Sequence, residues 1–293
     1  MGQVNEFVIG AWSLTETIGA RLAGVSTPLV LAGLALHALK LVARARAWQN
    51  VLRASLPETR VRFGDAAVPY LAGTAAGTLV PFGGGEVLRV ALARTRLRAT
   101  PTIVGSLAVE RAFDIVASGA VIAVGLTTGL FPQAVLRGQL TVFAVASGGV
   151  GLAALVAWRY RHRFAGVLRG LRVLRQPRRY LVGVASWQLL AWGLRFGSLV
   201  LLLEAFHVPS ALTVAPVVLS LQLFAGSLPV TPAGAGTQQA LIGAAFGSAS
   251  LVAFSAGAQL ATTLVDLLLA VAALASWRMW PRLGLLRPTP VAI

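Results

Sequence analysis

The sequence predicts an all-α polytopic membrane protein with inverted-topology repeats and two re-entrant broken-helix hairpins. Three observations carry this reading. Hydrophobic residues fill 57% of the 293 positions and charged residues only 12%, about half the roughly 25% of a soluble domain. The basic residues behind the net charge of +16 lie in short clusters between apolar runs, at 40–62, 89–98, 159–179 and 278–287. Two of the apolar runs are interrupted by Gly and Pro. Clustering of this kind is the positive-inside pattern of a multi-spanning protein, with added attraction to anionic lipid surfaces, and it argues against nucleic acid as a partner.

Residues 28–43 form the first apolar span. Lys40, Arg44, Arg46 and Trp48 close it as snorkelling cations and an interfacial aromatic. Residues 7–24 hold Glu16 and Arg21 and read as a short interfacial helix. The start of the chain lacks a basic n-region, so no removable signal peptide is expected. Residues 66–82 run into the turn Pro81-Phe82-Gly83-Gly84-Gly85, with Arg60 and Arg62 before and Arg89 and Arg94 after. Cytoplasmic markers at both ends predict a segment that enters the membrane and returns.

Spans at 101–130, 140–158 and 180–204 follow. The basic loop 159–179 falls on the cytoplasmic side, whereas the opposite loops, 131–138 and 205–211, contain one basic residue, Arg137. Residues 212–247 are again apolar, broken at Pro229, Pro232, Gly234 and Gly236, and neither flank carries Lys or Arg. That predicts a second hairpin entering from outside. A last span, 251–277, returns to the cytoplasm. The whole, 1–293, reads as one transmembrane domain: repeat one at 28–130, a linking span at 139–158 and repeat two at 180–277. The expected location is the bacterial inner membrane, with basic loops and C-terminus in the cytoplasm. Paired Gly/Pro-interrupted segments in oppositely oriented halves mark inverted-repeat transporters. Because broken backbone at membrane depth must be satisfied by protein or water, the two hairpin tips are expected to line a cavity near the midplane.

No cysteine is present, and His37, His162 and His207 fit no metal-ligand spacing. No metal, cofactor or catalytic residue is therefore expected. The triple glycine is neither a Walker loop nor a dinucleotide fingerprint. Apart from the belt position of Trp48, Trp158, Trp187, Trp277 and Trp280, the tryptophans call for no other role.

Charges inside apolar segments are costly, about 2.5–3.5 kcal/mol each at a helix centre, so they face inward and pair. Glu110 and Asp114 are four apart and share a helix face, while Arg111 lies three before Asp114 and can be partly neutralised within its own helix. Glu86 and Arg89 have the same three-residue spacing. Arg195 and Asp266 lie mid-span, and a cross-helix Arg195–Asp266 pair is expected. The alternative joins Arg111 to Asp266 and Arg195 to Glu110 or Glu86. Functionally, Arg89, Arg111 and Arg195 offer a cationic site for a phosphate or other anionic headgroup, since the guanidinium fork binds phosphate bidentately. Backbone N–H groups of Gly83, Gly84, Gly85, Gly234 and Gly236 would add donors at half-helix N-termini. Gln238 and Gln239 would either bind the headgroup or cap the helix. The structural alternative makes the whole charge set internal salt bridges that fix helix register.

The run Pro81-Phe82-Gly83-Gly84-Gly85-Glu86-Val87-Leu88-Arg89, followed by Glu110-Arg111-Ala112-Phe113-Asp114, resembles the P-x-G-x-G-E-x-x-R…E-R-x-x-D pattern of the lysylphosphatidylglycerol synthase transmembrane (flippase-like) family. Residues 228–239 resemble that family's second Pro/Gly-rich signature, and Arg46-Ala47-Trp48 resembles its R-x-W motif. The resemblance covers 28–280. Ala233 stands where the family often has Gly, and Gln239 where it often has Glu. The resemblance implies translocation of a polar or anionic lipid, aminoacylated or polyprenyl-phosphate-linked among others, between leaflets. The soluble aminoacyltransferase domain of some members is not found, so the expected role is a non-enzymatic flippase. The alternative is an intramembrane enzyme or an accessory subunit of lipid or glycan modification. A membrane lipid is the expected partner, and a homo-oligomer is compatible with the pattern.

Overall fold

The computed structural model describes residues 24–80, 83–127, 164–227 and 234–279, with scattered positions between 141 and 162. The expected interfacial helix at 7–24 and most of the linking span lie outside the described residues, as do Pro81, Phe82 and residues 228–233. Among the described residues the regular structure is helical throughout, with no strand. The main elements are α1 (Thr27–Ser55), α2 (Phe63–Leu79), α3 (Gly84–Leu97), α4 (Thr100–Thr127), α5 (Ala165–Gly170), α6 (Pro177–Ala205), α7 (Ala211–Ser227), α8 (Thr237–Phe246) and α9 (Ala249–Met279).

Helices α1 and α6 have 29 residues each, as does the apolar stretch Ala249–Trp277 of α9. At 1.5 Å per residue each reaches about 43 Å, beyond the roughly 30 Å of a hydrocarbon core. Their mean hydropathies are 1.5, 1.3 and 1.9. These are the described helices long and apolar enough to cross a membrane. The 28 residues of α4 have the length, but the charges at Glu110, Arg111 and Asp114 interrupt the apolar run.

The first helix departs from expectation. It continues through Ser55 instead of ending near residue 43. The reason is local: residues 44–55 are mostly Ala, Arg, Leu, Gln and other helix-compatible types. Leu41, Ala45, Trp48 and Leu52 recur at 3.6-residue spacing and are all buried. They pack against Val61, Ala66, Ala67 and Tyr70 around α2, Ala93 and Leu97 of α3, and Ile103 of α4. The stretch that the cations mark as the end of a span is a packed helix.

The chain forms two compact units. One comprises Met1–His37, Ser118–Val142 and Gly193–Thr262. Within it, a Cβ on Gly33 would stand 2.9 Å from Leu202 Cγ, and Ser198 Oγ donates to Gly33 O at 2.7 Å. Small residues at such contacts let helices approach in a bilayer. This unit also holds α7 and α8, which pack on one another. Pro216 lies inside α7, and Ser220 Oγ donates to its carbonyl at 2.8 Å.

The other unit comprises Ala38–Ala117, Phe143–Trp192 and Thr263–Ile293. Its central feature is a helical hairpin, α2 against α3. The Asp65 carboxylate accepts the Arg62 N–H at 2.9 Å and so caps α2. Gly83 opens α3 at φ 79°, a left-handed conformation that suits glycine. The two helices touch backbone to backbone: a Cβ on Gly73 would sit 2.7 Å from Gly85 O and 2.8 Å from Arg89 Cβ.

That contact gives a graded test. A Cβ on Gly85 would meet the Gly77 backbone at 2.8 Å, whereas one on Gly77 would find its nearest neighbour at 3.8 Å. Gly85→Ala should cost about 1–3 kcal/mol in unfolding measured in detergent, the usual range for overpacking, and Gly77→Ala should change little. Equal effects would contradict the described packing.

Candidate functional site

The second unit gathers most of the charged positions singled out in the sequence. Helix α4 sets Glu110 and Asp114 one turn apart on one face. Arg44, from α1, bridges them. Its Nε and Nη2 donate to Glu110 Oε1 at 3.1 and 3.0 Å, and its Nη1 donates to Asp114 Oδ1 at 2.8 Å. The second Glu110 oxygen accepts from Arg89 Nη2 of α3 at 2.7 Å. Asp114 Oδ1 also accepts the Trp192 indole N–H at 3.2 Å. Two cations thus meet two carboxylates, and the group is electrically neutral. Charges withdrawn from water are tolerable only when paired and hydrogen-bonded in this way.

Aromatic rings cover the network. The Arg89 guanidinium carbon lies 3.8 Å from the centroid of Trp48 and 4.4 Å from that of Tyr70, within cation–π range. Among the described residues, Arg89 Nε is buried and has no hydrogen-bond partner. Trp48 in turn donates its indole N–H to Ser106 Oγ at 2.8 Å, and Ser106 Oγ donates to Ile103 O at 2.6 Å.

A second ion pair, Glu86–Arg111, joins α3 to α4. It contrasts sharply in exposure: the Arg111 and Glu86 side chains are 63% and 43% exposed, those of Arg44 and Glu110 only 14% and 8%. One pair is open and the network beside it in sequence is closed.

Several expectations are corrected here. Arg44 is not a snorkelling cation; it is the hub of the buried network. Trp48 is not interfacial: it is 1% exposed and packs in the core. Arg111 bonds to Glu86, not to Asp114 of its own helix, because the hairpin brings α3 alongside α4. Arg89, expected to face a headgroup, is committed to Glu110 and two aromatic rings. Arg46 of the R-x-W motif donates to Gln49 Oε1, two positions from the arginine that organises the site.

The glycine and glutamine positions divide likewise. Gly85 is a close-packing residue, while Gly83 is exposed, its carbonyl accepting the N–H groups of Glu86 and Val87 at 3.0 and 3.2 Å. In the first unit Gly236 opens α8, also at φ 79°, and Gly234 takes φ 74°. Gln239 Oε1 accepts the Gly236 N–H at 2.8 Å, and its Nε2 donates to Gln259 Oε1 at 2.8 Å. Gln238 Nε2 donates to Ser255 Oγ at 2.9 Å. Both glutamines therefore hold α8 in place. Arg195 lies in the first unit, and Asp266, which is buried, lies in the second. The pairing between them stands as a sequence expectation.

Removing the hub is the direct test of the network. Arg44→Ala would leave Glu110 and Asp114 short of a counter-charge and should cost about 3–5 kcal/mol, as for broken buried pairs. Arg111→Ala, in the open pair, should cost less than about 1 kcal/mol. Denaturant unfolding in detergent micelles would measure both. A smaller loss for Arg44→Ala than for Arg111→Ala would contradict the assignment.

Comparison with known families and proteins bears on what this arrangement belongs to. Curated proteins and solved structures return no match. The family profile described as the lysylphosphatidylglycerol synthase TM region matches residues 7–275. The match spans both Gly/Pro-interrupted stretches and every charged residue of the network, and the chain is a membrane protein belonging to that family.

Proposed function

We propose that the protein moves a lipid with a polar or anionic headgroup between membrane leaflets. The open Glu86–Arg111 pair supports this reading most. It places an accessible guanidinium on a predominantly apolar helix, directly beside a neutral, closed charge network. An ion pair this exposed adds little to stability, because water and lipid headgroups compete for both partners. An exposed one can exchange its carboxylate for a phosphate, since arginine binds both through the same fork. Glu86 then serves as the resting counter-ion. Arg44, Arg89, Glu110 and Asp114 hold the helices that position the pair. Family membership fits a role in lipid modification or transport.

In the same reading the hairpins are re-entrant, the one of α2 and α3 opening to the basic side of the membrane and the one of α7 and α8 to the other. Since the chain contains no cysteine, single cysteines can map them. Glu58→Cys and Thr100→Cys flank the first hairpin, and Pro209→Cys and Ala249→Cys flank the second. An impermeant maleimide should label the first two from one face and the last two from the opposite face. Labelling of the two flanks of either hairpin from different faces would refute the topology.

Leaflet transfer itself can be followed in proteoliposomes with headgroup-labelled lipid. Arg111→Ala and Asp266→Ala should each lower the rate at least tenfold, about 1.4 kcal/mol of barrier, while still inserting. Wild-type rates in both would defeat the proposal.

A further inference from the structure

Apart from the charge network, the second unit contains a basic groove of about 620 Å³, lined by Asn50, Arg53, Ala54, Val173, Arg178, Arg179, Val182 and Gly183. The volume lies within the range of small-ligand sites. On α1, Asn50, Arg53 and Ala54 are three and four apart and share one helix face. Arg178, Arg179, Val182 and Gly183 come from the first turns of α6. Val173, buried at the base, belongs to a 3₁₀ turn, Arg172–Arg175.

The groove is held by tight packing. The short helix α5 docks on α4 so closely that a Cβ on Gly170 would stand 2.5 Å from the Gly105 backbone. Ser55 Oγ donates to Gly170 O at 3.0 Å, and Thr102 Oγ1 donates to Gly166 O at 3.1 Å. On the α6 side, residues Leu181–Ala185 form a π turn, a wide turn frequent at functional sites. Asn50 Nδ2 donates to the Gly183 carbonyl there at 2.5 Å, joining the two walls.

Charge and apolarity are arranged in layers. Arg53 spends its Nε on Val61 O at 3.0 Å, and Arg179 spends Nη1 on Gln176 Oε1 at 3.0 Å. Among the described residues, no carboxylate lines the groove, and Arg53, Arg178 and Arg179 make no ion pair. Leu174 and Leu181 beside it and Val182 in its wall are exposed, an apolar ledge that acyl chains can cover. Three guanidinium groups beside an apolar ledge match a phosphodiester with tails attached. A free anion would gain nothing from the ledge.

We propose that this groove binds the phosphodiester headgroup of an anionic membrane glycerophospholipid, at a site separate from the Glu86–Arg111 pair. Basic pockets between helices at a membrane surface take such headgroups. The lipid would clamp α1 to the start of α6.

The test uses the full chain in detergent, with dioctanoyl phosphatidylglycerol, dioctanoyl phosphatidylcholine and inorganic phosphate as probes in a binding titration. The anionic lipid should bind more tightly than the other two. The double variant Arg178→Gln/Arg179→Gln, both at exposed positions, should weaken it roughly thirtyfold with unchanged thermal unfolding. Arg111→Ala, which removes the guanidinium of the proposed transport site, should leave this binding intact and so separates the groove from that site. Equal affinity for the zwitterionic lipid, or for inorganic phosphate, would overturn the proposal. So would undiminished binding in the double variant, or a loss in Arg111→Ala matching the loss in the double variant.

Discussion

One guanidinium organises the charged interior of this protein. Arg44 meets Glu110 and Asp114 together, and two carboxylates a single helical turn apart would repel each other without it. With both carboxylates largely buried, that repulsion is poorly screened, because little water reaches the site. The cation therefore determines where α1 stands against α4. Arg89 completes the balance from α3, so three helices are tied through one neutral cluster. Trp48 and Tyr70 keep the cluster dry from the side of Arg89. The cost of burying four charges is offset only by this complete pairing, and loss of any one partner leaves the others stranded.

The hairpin geometry depends on a different property, the absence of side chains. Gly73 and Gly85 allow the α2 and α3 backbones to touch, and that contact carries Arg89 and Glu86 to α4. The two residues are three apart on α3, yet they reach different environments. Arg89 turns into the aromatic core, whereas Glu86 stays at the open edge with Arg111. A neutral closed group and an accessible pair thus arise from adjacent positions on the same two helices.

Much of this was legible in the sequence. The apolar runs, the Gly-rich turn before α3 and the facing of Glu110 with Asp114 all follow from local periodicity and composition. The partners were not, because pairing between helices is decided by packing, which the spacing of residues along one helix does not encode. Arg44 shows the difference. In a list of cations it looks like the edge of a span. Its position four before Trp48, on a helix whose stripe Leu41, Ala45, Trp48 and Leu52 continues through Ser55, is the signal that it faces the interior. Gln239 shows the reverse: its capping role was one of two readings at the start of α8, and its bond to the Gly236 N–H assigns the cap. The basic segment 159–179 carries no long apolar stripe, and its sequence predicts a loop, whereas short turns form at Ala165–Gly170 and Arg172–Arg175. Tight glycine contacts at Gly105 and Gly170 order it instead.

The wide turn at Leu181–Ala185 has an effect on phase. There the Ser186 N–H reaches back to the Leu181 carbonyl, five residues instead of four. An α-helix turns about 100° per residue, so one additional residue rotates everything before it by that angle relative to everything after. Arg178 and Arg179 consequently do not fall on the sector that a straight helical wheel through Trp192 would assign them. Deleting a single residue in this stretch would preserve composition and hydropathy, yet swing both arginines around the axis and away from α1.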